Sequence, residues 1–140
     1  MRSHSPNRQS GSMLLETMVA LLIFSLGILA IVGMQATSIK LAGDAKYRTD
    51  ASLLANQLIG EMWVGDRSVT ALQTNFSSPG GAAYMSWLSG VQAALPGAGA
   101  NPPTVTVNGN NLVTVRVFWK APGDGASAAA HAQTVIAQIK

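Results

Sequence analysis

The sequence predicts an α+β fold in which a long N-terminal α-helix packs on a small antiparallel β-sheet of about three strands. Three observations carry that prediction. From Thr17 to Ile39, 23 residues pass without a formal charge. As a helix they extend about 34 Å at about 1.5 Å per residue, enough for a bilayer core of about 30 Å. Beyond Lys40 apolar residues recur at helical spacing, and no proline falls between Ser12 and Ser78 to end the helix. After Pro103, two runs alternate apolar and polar residues around an Asn-Gly pair, the pattern of a hairpin.

Each element follows from its residues. The run holding Val19 to Phe24 and Ile28 to Val32 is apolar on every side, as a lipid-facing helix must be. Ser25, Gly27 and Gly33 interrupt it with small residues of the kind that permit close helix approach in membranes. Tyr47, Ala51, Leu54, Leu58 and Met62 then form a stripe on one helix face. Asp44 with Arg48, and Lys46 with Asp50, are opposite charges at i,i+4 on other faces. The helix therefore runs from about Ser12 to Trp63 or Val64, membrane-like over 12–39 and amphipathic over 40–64, with Gly65 as its stop.

The remainder, 65–140, reads as one small domain. Residues 66–103 are expected to be irregular, apart from a short helix over Tyr84–Leu95 that gathers Trp87, Leu88, Val91 and Leu95 on one face. Trp87 is read as a core anchor, given the area a tryptophan buries. Strands are expected at about 104–108, 112–119 and 132–139. Val105, Val107, Val113, Val115, Val117, Trp119, Val135 and Ile139 should point inward, towards the helix stripe.

Composition removes several functions. The chain has nine basic and six acidic residues, but Arg2 and Arg8 lie in the first ten, so beyond Gly11 seven bases face six acids. No basic stripe marks a nucleic-acid surface. With no cysteine there is no disulfide or thiolate metal site. His4 stands in the polar leader and His131 in an alanine-rich loop, neither with a nearby carboxylate-and-nucleophile pattern. Gly97-Ala98-Gly99 lacks the lysine and further glycine of a phosphate loop and reads as a linker. No enzyme, cofactor, metal or small-molecule substrate is expected.

One charged residue is placed unusually. Glu16 stands at the mouth of the apolar run, where a carboxylate is unfavourable unless it lies at headgroup level or pairs with a cation. The arginine-bearing start favours a cytoplasmic N-terminus. Gly11-Ser12-Met13-Leu14-Leu15-Glu16, followed by Val19 to Ile23, resembles the class III signal of type IV pilins and type II secretion pseudopilins. The resemblance implies that residues 1–11 are a leader removed by a prepilin peptidase after Gly11, that Ser12 becomes the N-methylated N-terminus, and that Glu16 acts in subunit assembly by neutralising a neighbour's amine. Ser12 occupies a position where that family usually has Phe or Met, and the chain lacks the cysteine pair of many major pilins.

Leu26-Gly27-Ile28-Leu29, Gly33-Met34-Gln35 and Ser52 to Met62 are similar to PilV-type minor pilins. This implies a small subunit incorporated into, or priming, a type IV pilus, with other minor and major pilins as partners. It also implies a single-pass inner-membrane form before assembly, with the C-terminal domain periplasmic. A minor pseudopilin of a type II secretion system is the alternative. A secreted protein cut after Ser38 is a third reading, because Ala36-Thr37-Ser38 has the small-x-small form of a leader-peptidase site. The apolar run exceeds the usual length of a signal h-region, about 7–15 residues, and Glu16 interrupts the signal pattern.

Overall fold

A computed structural model describes residues 10–140. In order it contains α1 (Ser10–Val64), α2 (Val69–Phe76), α3 (Ala82–Ala94), β1 (Thr104–Val107), β2 (Leu112–Trp119) and β3 (His131–Gln138). The fold is α+β: within 41–140, the later turns of the long N-terminal helix pack on a three-stranded antiparallel sheet of order β1-β2-β3. Two compact units are distinguished, 1–40 and 41–140.

Within 41–140 the core is a single cluster. Val105, Val107, Val113, Val115, Val117 and Trp119 line the buried sheet face, and Ala51, Ala55, Leu58, Ile59 and Met62 of α1 join them. Tyr47 and Leu54 pack partly buried at its margin. The predicted stripe thus faces the predicted sheet, because 3.6-residue and two-residue periodicities each present one apolar face. α1 stops after Val64, where the Gly65 N–H reaches Glu61 O at 3.2 Å.

The expectation of an irregular 66–103 is corrected. α3 is the short helix expected there, and α2 is the departure, owing its form to local caps that its eight residues are too short to announce by periodicity. Asp66 Oδ1 accepts from the Ser68 N–H at 2.9 Å, which holds the Asp66 carboxyl below the usual carboxylate range. Ser68 Oγ in turn accepts from the Ala71 N–H at 3.3 Å, as an N-cap does. Leu72 and Phe76, one turn apart, are the residues α2 buries.

α3 begins two residues before the expected start. It buries Tyr84, Trp87 and Val91, and its last turn closes with the Leu95 N–H on Val91 O at 2.9 Å. Trp87 Nε1–H donates to Leu54 O at 2.9 Å, and Tyr84 donates its hydroxyl to Pro103 O at 2.8 Å. Burial pushes the Tyr84 phenol up from its ordinary value.

Gly81 allows the turn from α2 into α3. A Cβ there would lie 2.3 Å from Asn75 O, a backbone atom that cannot step aside cheaply. Gly81→Ala is expected to destabilise the domain by about 1–3 kcal/mol, as overpacking does. Urea unfolding of the detergent-solubilised chain, with Gly80→Ala as the open-space control, measures this.

The strands depart slightly from expectation. β1 ends at Val107 rather than 108, because Asn108 opens the turn. Its Oδ1 accepts from the N–H groups of both Asn110 and Leu112 at 2.9 Å. Asn111 takes φ 57°, a left-handed conformation asparagine tolerates. β3 runs 131–138 rather than 132–139, and Ile139, buried as expected, follows it directly. Gly97, at φ 75°, lets its loop meet Lys120, whose N–H donates to Pro96 O at 2.8 Å.

Candidate functional site

The first two turns of α1 carry the residues singled out by sequence. The helix begins at Ser10, two residues earlier than expected, so Gly11 and Ser12 are already helical. Ser12 and Glu16 are separated by one turn and share a face. Both are exposed within the unit, as are all described residues from Gly11 through Lys40. Glu16 lines a shallow depression with Met13, Thr17 and Ala20. Residues 1–9, including Arg2, His4 and Arg8, lie outside the described residues.

The unit is apolar enough for lipid. Its best 18-residue window has a mean hydropathy of 2.5, and none of that window is buried by the protein itself. Four of its hydroxyls turn inward on the helix backbone. Thr17 donates to Met13 O at 2.8 Å, Ser25 to Leu21 O at 2.7 Å, Thr37 to Gly33 O at 3.2 Å and Ser38 to Met34 O at 3.0 Å. This satisfies those polar groups within the helix itself, as a lipid environment would require. An added Cβ at Gly27 or Gly33 would touch nothing within 4 Å. Among the described residues, one helix, near the N-terminus, is long and apolar enough to cross a membrane.

A second site was not legible in the sequence. Asp44, Ala45, Arg48 and Thr49 of α1 line a cleft of about 530 Å³ with Trp119, His131 and Ala132. The predicted Lys46–Asp50 pair forms at 2.8 Å, and Asp50 raises the Lys46 ammonium pKa by hydrogen bond and charge. Asp44 and Arg48 both line the cleft, where Asp44 Oδ1 and Trp119 Nε1 are buried without a hydrogen-bond partner among the described residues.

His131 is not in a loop remote from carboxylates. It opens β3, with Nε2 3.1 Å from Asp124 Oδ2. Its ring stacks on Trp119 at 5.6 Å between centroids and 15° between planes. The loop bearing Asp124 folds back so that Oδ2 also accepts from the Ala121 N–H at 2.8 Å. Only the β2–β3 register, which sets Trp119 opposite His131, brings these residues together. Among the described residues no group of three or more His, Asp or Glu is arranged to hold a metal ion.

Comparison with protein-family models, curated proteins and solved structures finds no match.

Proposed function

We propose that this chain is a structural, non-catalytic minor pilin. It is made as a prepilin in the bacterial inner membrane with its N-terminus cytoplasmic and its C-terminal domain periplasmic. A prepilin peptidase removes residues 1–11, and the mature chain enters or primes a type IV pilus alongside other minor and major pilins. The observation that carries the reading is the coincidence at the start of α1. Gly11, Ser12 and Glu16 stand in order on a helix whose next 23 residues are uncharged and whose later turns enter the core of a small domain.

The roles follow from position. Gly11 offers the peptidase a residue without a side chain. Ser12 becomes an amine, mostly protonated at neutral pH with a reference pKa of about 7.7–8.0, and a site for N-methylation. Glu16, one turn on, offers that amine or a neighbouring chain's amine a carboxylate in a medium where either charge alone is costly. A helix that carries on through Ala36, Thr37 and Ser38, with both hydroxyls bonded within it, argues against leader-peptidase cleavage after Ser38. Such a site would have to be unwound to be cut.

Gly11→Leu is expected to abolish removal of the leader when the chain is co-expressed with a prepilin peptidase, while Gly27→Leu leaves it unchanged. Intact mass of the membrane-extracted chains reads the difference. Normal processing of Gly11→Leu would contradict the assigned cleavage site.

A further inference from the structure

The turn between β1 and β2 gathers three atoms around one side-chain amide. Asn108, Gly109 and Asn110 are all exposed there. Asn108 Oδ1 accepts from the N–H groups of both Asn110 and Leu112, each at 2.9 Å. Its Nδ2 has no hydrogen-bond partner among the described residues, and neither has the N–H of Gly109. The backbone does not require glycine at 109, since its φ is not positive and a Cβ there would meet nothing within 4 Å. What glycine supplies is a main-chain nitrogen with no side chain beside it.

The other described asparagines each lack part of this set. Asn56 and Asn75 lie in α1 and α2, so the N–H that follows each belongs to a helical ladder. Asn101 precedes Pro102, which has no N–H at all. After Asn110, the Asn111 N–H donates to Asn108 O at 3.1 Å. After Asn111, the Leu112 N–H is held by Asn108 Oδ1, and the Asn111 Nδ2 donates to Arg67 O at 2.9 Å. Asn108 alone among them combines a free amide nitrogen, a free following N–H and a doubly held oxygen.

We propose that Asn108 is a self-modification site, at which the folded turn converts the side-chain amide to a carboxylate. The Gly109 nitrogen, after losing its proton to base in the solvent, bonds to Asn108 Cγ. Negative charge then collects on Oδ1, where two N–H groups are already in place to stabilise it. The Cγ–Nδ2 bond breaks and ammonia leaves with a proton from water, which leaves a cyclic imide. Water adds to the imide at Cγ, the Cγ–N bond to Gly109 breaks, and aspartate results. The net change is one water consumed and one ammonia released.

The same donors direct the opening. Water entering at Cγ puts charge on the oxygen that faces two N–H groups, whereas entry at the main-chain carbonyl of residue 108 faces one, that of Asn111. The second route would also lengthen the main chain and disturb the Asn108 N–H bond to Leu112 O at 3.0 Å. A carboxylate, in contrast, accepts both N–H groups as the amide does. The hairpin therefore keeps its turn and gains a negative charge at its exposed tip.

The test incubates the full chain in detergent micelles in mildly alkaline buffer made with heavy-oxygen water, and maps the products by peptide mass. Asn108 is expected to convert at least as fast as in a free peptide spanning Thr104 to Arg116, and ahead of every other described asparagine. Aspartate should exceed isoaspartate in the folded chain. Gly109→Ala should slow conversion at least tenfold with an unchanged far-ultraviolet spectrum. Asn108→Asp, which carries the product from the start, should unfold at the same urea midpoint as the parent chain. A folded chain that keeps its amide while the peptide loses it would overturn the proposal, as would an unchanged rate in Gly109→Ala. An excess of isoaspartate, or a lowered midpoint for Asn108→Asp, would overturn the part assigned to the Asn110 and Leu112 N–H groups.

Discussion

Trp87→Ala is expected to lower the stability of the 41–140 unit by about 3–5 kcal/mol, the range for removing a buried tryptophan. Trp87 is 6 % exposed and lies among the core residues of α3. Its loss leaves a large void beside Tyr84, whose ring lies 6.1 Å away. It also removes the Nε1–H bond to Leu54 O at 2.9 Å, a direct tie between α3 and α1. Domains are stable by only about 5–15 kcal/mol in total, so the variant should be close to unfolding at physiological temperature. Met85, on the exposed side of the same helix, provides the control, and Met85→Ala should change stability by less than about 0.5 kcal/mol. Chemical unfolding in detergent, followed by tryptophan fluorescence, gives both values. Similar values for the two variants would show that α3 does not anchor the domain.

Glu16→Ala is expected to leave removal of the leader intact and to reduce incorporation into filaments at least tenfold. The direction of the side effect makes this informative. An acidic residue in a membrane helix is costly, by about 2.5–3.5 kcal/mol for Asp at the bilayer centre. Replacing it with alanine therefore favours insertion, and a shortage of anchored protein cannot explain a loss of assembly. Glu16→Gln separates charge from shape and should fail in the same way if the carboxylate neutralises an amine. Quantifying the subunit in sheared filaments against the membrane fraction decides it. Normal incorporation of both variants would remove the assembly role from Glu16.

The large elements were legible because each repeats a period over many residues. Tyr47 to Met62 announces a helix face, and Val113 to Trp119 a strand face, and the two faces meet in the core. The hairpin was legible from Asn108 and Gly109, whose type fits the turn whatever surrounds it. The helix α2 was not, since Ser68 and Asp66 cap it through local hydrogen bonds that leave no periodic trace over eight residues. The cleft was not legible either. Asp44 and Arg48 looked like a surface pair, and only the register of β2 with β3 brings Trp119, His131 and Asp124 to one place. The hydrogen bonds that tie β1 to Ser78 and Gln73 likewise join residues 27 and 34 apart in sequence. Such contacts are consequences of the whole fold. Gly11, Ser12 and Glu16 are the reverse case. The role proposed for them rests on their order, and the structure adds only that they share the first turns of one helix.

The most direct measurement for this account is the N-terminal mass of the chain recovered from membranes of cells that make a prepilin peptidase. A mature chain beginning at Ser12, unmodified or heavier by one methyl group, is the predicted result. A membrane-bound chain still beginning at Met1, or a soluble one beginning at Ile39, would contradict it.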